Sequence, residues 1–279
     1  MAIDGRGLTP SVGPAQTAQG GLVMLPPRKL ARIAGPLYLL LIVAAAFALS
    51  VRSAIVEPHA AAATADNIRA SATLFRVSFV VDLSANLVYL LTAMALYLLF
   101  RHVQELVAAA MVTFVAVSVA VGSLNLLNQY TALTIATSDA YTRSLGKAGA
   151  DTLALLFADM FSNGNTANAI WYGPWLLPLG YLVIKSGYFP KALGVLPIIG
   201  CFAYFGWLLT TFLTPDAPAG IGSTFLAVAG IGEGAFVVWL VVKGVHLPAA
   251  PARSIPNPDP ARSPLVAAPV IAPEERRGS

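Results

Sequence analysis

Long apolar runs organise this chain. Six segments, at 33–51, 74–100, 106–135, 152–183, 192–213 and 221–242, carry few charges and many Leu, Val, Ile, Ala and Phe. A helix rises about 1.5 Å per residue, so about 20 apolar residues cross the roughly 30 Å hydrocarbon core of a bilayer. Each run meets or nearly meets that length. The pattern predicts an all-α, polytopic transmembrane helical bundle with about six spans. A membrane barrel would instead show strands alternating over about ten residues.

The runs at 106–135 and 152–183 exceed one crossing, so they tilt, kink or protrude. In the fourth run Asn163-Gly164-Asn165 is a weak point, and Pro174 with Pro178 kinks the helix and frees carbonyls. We read this run as one long, broken helix. An outer amphipathic helix followed by a shorter span is the other option, but a seventh crossing would upset the charge pattern. The small residues of 44–50 resemble a cleavage region. A long tail precedes them and five more runs follow, so the first run reads as a retained helix.

Residues 1–29 are rich in Gly, Pro, Ala and Thr and lack a sustained period, which reads as a disordered tail. Residues 247–279 repeat proline from Pro248 to Pro273 and read as a second, extended tail. The transmembrane domain is then 30–246. Composition agrees with the membrane class: 57% of the 279 residues are hydrophobic, only 11% are charged, and the mean hydropathy is +0.73. A soluble domain carries about a quarter charged residues.

The net charge of +4 comes from Lys and Arg that flank the runs, which points to topological bias rather than nucleic-acid binding. With the N-terminus in the cytoplasm, Arg6, Arg28, Lys29, Arg32, Arg101, Lys185, Lys191, Lys243 and four tail arginines fall inside. Arg52, Arg69, Arg76, Arg143 and Lys147 fall outside. Twelve against five favours both termini in the cytoplasm.

Ionisable groups inside a bilayer raise a functional question. Asp82 and Asn86 share a face of the second run, with Arg76 near its outer end. The third run carries Asn125, Asn128 and Gln129, and the fourth carries Asp159, Asn163, Asn165 and Asn168. In the predicted topology Arg76, Asp82, Asn86, Asn125, Asn128, Asp159 and Asn163 all fall in the outer half. Lipid satisfies none of them, so they face the bundle interior. One reading is an outward-facing polar pocket with Glu233, near the middle of the sixth run, at its floor. The other is structural: Arg76 snorkels to the headgroups, Asp82 pairs with Arg76 or a neighbouring helix, and the asparagines hold helices together. Glu233 lies between Gly230 and Gly234, a small-residue face that admits close helix approach. It is either a neutral, hydrogen-bonded carboxyl or a proton or cation site.

Catalytic patterns do not stand out. His59, His102 and His246 fall in loops or at span ends, which argues against an intramembrane haem or a His-rich metal site. Cys201 is the one cysteine, so no intrachain disulfide forms. We expect no metal and no cofactor. Trp171, Tyr172 and Trp175 crowd the fourth run, where they line a hydrophobic site or pack helices.

Several stretches resemble one family. Arg32-Ile33-Ala34-Gly35-Pro36-Leu37-Tyr38 opens the first run, and Leu74-Phe75-Arg76 precedes Asp82-Leu83. Gly180-Tyr181-Leu182, Lys185-Ser186-Gly187-Tyr188-Phe189-Pro190, Ala192-Leu193-Gly194-Val195-Leu196 and Phe212-Leu213-Thr214-Pro215 follow. Together they resemble the bacterial multi-pass membrane family called domain of unknown function 4386, over roughly residues 30 to 245. The chain departs at Trp175, where relatives carry His. The resemblance implies a bacterial inner-membrane location and no assigned activity. Gly187 and Pro190 also have a physical reading, a tight turn bracketed by Lys185 and Lys191.

Three functions remain in view: a protein that binds a small molecule, lipid or ion; a membrane interaction or accessory subunit with a protein partner; and, with least support, an intramembrane enzyme using Asp82 and Asp159. The topology is tested by labelling a cysteine placed in 247–279 with a membrane-impermeant reagent. No labelling of intact cells is expected, and labelling from outside would overturn the orientation.

Overall fold

The computed structural model describes residues 26–214 and 216–246. The chain forms α1 (Pro27–Ile55), α2 (Ala61–Ala70), α3 (Ala72–Phe100), α4 (Glu105–Thr137), α5 (Asp139–Tyr172), α6 (Leu176–Ser186), α7 (Ala192–Leu213) and α8 (Ala219–Val242). No strand forms among the described residues. Helices α1, α3, α4, α7 and α8 are each long and apolar enough to cross a membrane. The protein is thus an all-α membrane bundle, as its apolar runs require. The C-terminal tail expected at 247–279 lies outside the described residues. So does most of the tail expected at 1–29, but that boundary needs correcting, because α1 already begins at Pro27. Proline at the first helical position has its fixed φ in place and gives up an N–H that would have no helical partner.

α1, α3, α4 and α5 pack in chain order, α7 follows, and α8 closes back on α1. Where the described chain starts and ends, His246 N–H donates to the Tyr188 carbonyl at 3.1 Å, and the Tyr188 hydroxyl meets His102 Nε2 at 2.8 Å. We call this the terminal end. At the opposite, far end lie α2, the α4–α5 junction and the α7–α8 turn.

Two elements differ from the sequence expectation. Helix α2 was not foreseen, because its buried side consists of Thr64, Ala65 and Ile68, too little apolar mass for a hydropathy signal. Pro58 stops α1. The Thr64 hydroxyl then accepts from Glu57 N–H at 2.9 Å and donates to the Glu57 carbonyl at 3.0 Å, setting the start of α2. The second difference is that the fourth run breaks at only one of its two marked places, the Pro174 kink. Asn163-Gly164-Asn165 continues as helix, and Gly164 serves to admit α4: a Cβ there would overlap the Asn125 amide. The break falls instead at 173–175. Pro174 offers no N–H to the preceding turn. Leu176 and Leu177 donate to the carbonyls of Gly173 and Pro174, both at 3.1 Å, in the tighter three-residue pattern. Gly146 (φ 72°) also interrupts α5 near its start, ahead of the run at 152–183.

The core falls into two clusters. Near the terminal end, Tyr38, Leu96, Met111, Trp175, Leu179, Cys201 and Phe236 belong to one buried set that draws on α1, α3, α4, α6, α7 and α8. Near the far end, Val51, Ile55, Ile68, Phe75, Leu133 and Ala154 form a second set drawn only from α1 to α5. No described residue from Tyr204 to Val228, the far half of the α7–α8 pair, is buried. These halves pack on each other, as at Gly206 against the Phe225 ring, but not into the far cluster.

The turn between α6 and α7 explains part of the family-like pattern. Gly187 adopts a left-handed conformation (φ 69°), which L side chains resist by about 1–2 kcal/mol. Gly180 and Gly194 face one another across the α6–α7 contact, each occupying space where the other's carbonyl leaves no room for a Cβ. Overpacking of this kind typically costs about 1–3 kcal/mol. We therefore expect Gly180→Ala and Gly194→Ala each to lower the thermal unfolding midpoint in detergent, with Gly220→Ala, where space is open, as the neutral control. Equal midpoints for all three would contradict the close approach.

Candidate functional site

A carboxylate lies at the centre of the bundle. Tyr89, Trp175, Tyr204 and Glu233 each sit nine to twelve residues from the terminal end of α3, α6, α7 and α8, about 14–18 Å along the axis. Glu233 lies on the buried face of α8, among Ala229, Gly232, Phe236 and Val237, yet it is itself only half-buried. Tyr38 of α1 donates its hydroxyl to Glu233 Oε2 at 2.7 Å, and Tyr204 donates to Oε1 at 2.7 Å. Among the described residues no Lys, Arg or His pairs with this carboxylate.

Aromatic rings surround the group. Trp175 lies 5.5 Å from Tyr38 and 5.3 Å, edge to face, from Tyr89. Tyr172 stands edge to face with Tyr204 at 5.0 Å. The break at 173–175 makes this possible: Gly173 backs onto α7, where a Cβ would stand 3.2 Å from the Cβ of Tyr204. Tyr172 and Trp175, on either side of the break, both join the cluster, and Pro178 is buried behind them. The sequence marked Glu233 and the aromatic crowding of the fourth run but did not connect them. Tyr38 and Tyr204 carried no signal of their own, since a tyrosine in an apolar run also reads as packing.

A second polar layer lies toward the far end. Asp82 is seven residues from Tyr89 along α3, about 10 Å. Its partner is Arg52 of α1, not Arg76. Six residues along a helix turn about 600°, which puts Arg76 well away from the face of Asp82. Arg76 is exposed, and Arg52 reaches Asp82 from the next helix while lying 4.9 Å over the Phe161 ring. Both partners are mostly buried, at 17% and 15% exposure.

Most of these side-chain amides tie helices together, and Asn128 braces Asn125 within α4. Asn86 Nδ2 donates to Ser123 Oγ at 3.1 Å, Asn125 Nδ2 to the Phe161 carbonyl at 2.8 Å, and Asn128 Nδ2 to Asn125 Oδ1 at 3.0 Å. Asn168 Nδ2 donates to the Ser118 carbonyl at 3.1 Å, and Gln129 Nε2 to Ser78 Oγ at 2.9 Å. Asp159 and Asn163 share a face of α5, as their spacing requires, but that face is exposed. The structure therefore brings Asp82 together with Arg52, and Asn125 with Asn128, and holds Glu233 in a separate aromatic layer. Arg76, Asp159 and Asn163 join neither.

At the far end, outside the spans, Asp66 of α2 receives hydrogen bonds from Lys147 at 3.1 Å and Arg69 at 2.6 Å. The Lys147 contact, then that of Arg69, holds the Asp66 carboxyl below its usual range. Among the described residues no group of three His, Cys, Asp or Glu side chains is placed to hold a metal ion.

Apolar helices of spanning length, with polar groups met from inside the bundle, define a multi-pass helical membrane protein. The chain belongs to the family described as Domain of unknown function (DUF4386), whose model matches residues 33–244. It is 40% identical over 78 residues to an uncharacterized protein of Archaeoglobus fulgidus, an alignment covering 28% of this chain and 44% of that relative. The chain thus spans less than half the length of the curated relative it matches. No solved structure matches.

The Arg52–Asp82 pair yields a direct test. Removing one partner of a buried pair leaves an uncompensated charge and costs about 3–5 kcal/mol, whereas replacing both by apolar residues is often neutral. Thermal unfolding should show Arg52→Leu and Asp82→Leu each strongly destabilising, and the double variant milder than either. Additive losses would contradict the pairing.

Proposed function

We propose that this protein binds a small ligand in a cleft that opens at the far end of the bundle and is floored by Glu233. The observation that carries this reading is the division of the bundle. All spanning helices enclose the terminal half, while the far half of α7 and α8 contributes no buried residue among those described. The nine residues of α7 beyond Tyr204 and the ten of α8 before Ala229, about 14–15 Å of each helix, thus add nothing to the buried α1–α5 cluster. Glu233, a partly exposed residue at that depth whose carboxylate is held by two hydroxyls and by no cation among the described residues, is suited to contact something that enters.

In this reading the fourth run makes a single bent crossing, so α1, α3, α4, α5 with α6, α7 and α8 give six spans. Both termini then lie in the cytoplasm and the cleft faces outward, which is the orientation the Lys and Arg distribution favours. The inner membrane of a bacterium is the location we assign. The polar asparagine layer is structural in this account, and Glu233 with its tyrosines is the ligand-contacting part.

A second reading, an accessory subunit without a ligand, is favoured by the exposed α5 face. Asp159 and Asn163 lie uncovered on a helix within the bundle, and hydrocarbon satisfies neither. A protein partner seated there would cover both.

Native mass spectrometry of the gently extracted protein in lipid nanodiscs tests both. An added small mass, absent from Glu233→Gln, is expected for the cleft reading. An added protein mass lost in Asp159→Arg supports the accessory reading. A bare chain in every preparation counts against the ligand site.

A further inference from the structure

We infer that the ligand taken at Glu233 is an organic cation, an alkylammonium group with apolar substituents. This rests on the cleft reading above and assigns its substrate class. Three observations converge. The first is charge: Glu233 accepts from the hydroxyls of Tyr38 and Tyr204, donors that suit an ionised carboxylate, yet no basic side chain among the described residues neutralises it. Each carboxylate oxygen retains capacity for a further donor or a nearby positive charge. An anionic ligand would meet only repulsion here.

The second observation is the wall. Tyr38, Tyr89, Tyr172 and Tyr204 of α1, α3, α5 and α7 and Trp175 of the break at 173–175 meet around one level of the bundle. Tyr89, Tyr172 and Tyr204 are only half-buried, so part of their surface is free to touch a guest. Aromatic faces attract cations through the ring quadrupole, and the attraction strengthens where water is scarce. A carboxylate within a set of tyrosines and a tryptophan is the chemistry that holds a quaternary or alkylated ammonium.

The third observation separates this class from metal ions and sugars. A hard metal ion takes about six oxygen ligands, and Glu233 is the one carboxylate in this layer, with no metal-holding cluster among the described residues. A sugar would need many free hydrogen-bond groups, but the Tyr38 and Tyr204 hydroxyls are already committed to Glu233. Along the way in, α7 presents Leu208 one turn beyond Tyr204, an apolar approach that suits alkyl substituents.

The test is equilibrium binding of radiolabelled choline to the full chain in nanodiscs, in competition with 3,3-dimethylbutan-1-ol, which replaces the quaternary nitrogen by carbon at nearly the same shape. Saturable choline binding is expected. The neutral alcohol should compete at least about tenfold more weakly, and Glu233→Gln should weaken choline at least about tenfold. Tyr172→Leu should weaken it several-fold while Tyr172→Phe, which keeps the ring, retains it. Size-exclusion profiles and unfolding midpoints confirm that each variant folds, and the choline–alcohol contrast in the wild type stands even if Glu233→Gln does not. Equal competition by the alcohol, unchanged binding in Glu233→Gln, or no choline binding by folded protein overturns the assignment. Should a small mass still be retained in the native spectrum, only the cation class falls. Should neither appear, the cleft reading falls with it.

Discussion

Hydrocarbon offers no hydrogen bonds, so most polar side chains placed inside this bundle are answered from within, though Gln129 Oε1, Asn168 Oδ1 and Trp239 Nε1 are buried without a partner among the described residues. That constraint accounts for most of the structure. Asn125 reaches a carbonyl of α5, Asn86 a serine of α4, and Asn168 a carbonyl of α4. Asp82 requires Arg52, and Arg52 requires a helix long enough to carry it to that depth, which α1 supplies. Glu233 meets the same demand differently. Its two oxygens have hydroxyl donors but no positively charged partner among the described residues. Unlike Asp159 on the exposed face of α5, it is a carboxylate turned into the bundle that no cation among the described residues meets.

The same economy of contacts divides the molecule. Glycine allows close approaches in the terminal half, at Gly180 against Gly194, Gly232 against Leu196 and Gly35 against Val241 and Leu240, and these bind α6, α7, α8 and α1 together. Beyond Tyr204 and before Ala229 such contacts stop, apart from those between α7 and α8 themselves. The break at 173–175 sits at the boundary. It lets one chain segment serve the far cluster as α5 and the terminal cluster as α6, and it delivers Tyr172 and Trp175 to the layer between them.

Much of the fold was legible because its signal is hydropathy over spans of about 20 residues. The run at 192–213 coincides with α7, and those at 74–100 and 106–135 lie within α3 and α4. The sharp turn at Gly187 and the kink near Pro174 were legible from residue chemistry. What escaped were features set by three-dimensional pairing. Arg52 counted as a loop charge until α1 proved to extend through Ile55. The Asn163-Gly164-Asn165 stretch read as a weak helix, though the glycine is there to seat Asn125. Depth alone points Asp159 and Asn163 inward, and depth says nothing about which side of a helix faces the bundle. Glu233 stood out because a carboxyl within an apolar run is rare. Its tyrosines did not, since only packing brings α1 and α7 to it.

Solvent access along α7 tests the central claim most directly. With Cys201, the chain's single cysteine, replaced by serine, Leu208→Cys places a thiol one turn beyond Tyr204 without disturbing the hydrogen bonds to Glu233. A membrane-impermeant methanethiosulfonate carrying a trimethylammonium group, applied to the outer face of intact cells, should modify that thiol, and Ala203→Cys, in the closed half, should resist it. Modification of Leu208→Cys from the cytoplasmic face alone, or from neither face, would contradict an outward cleft that ends at Glu233.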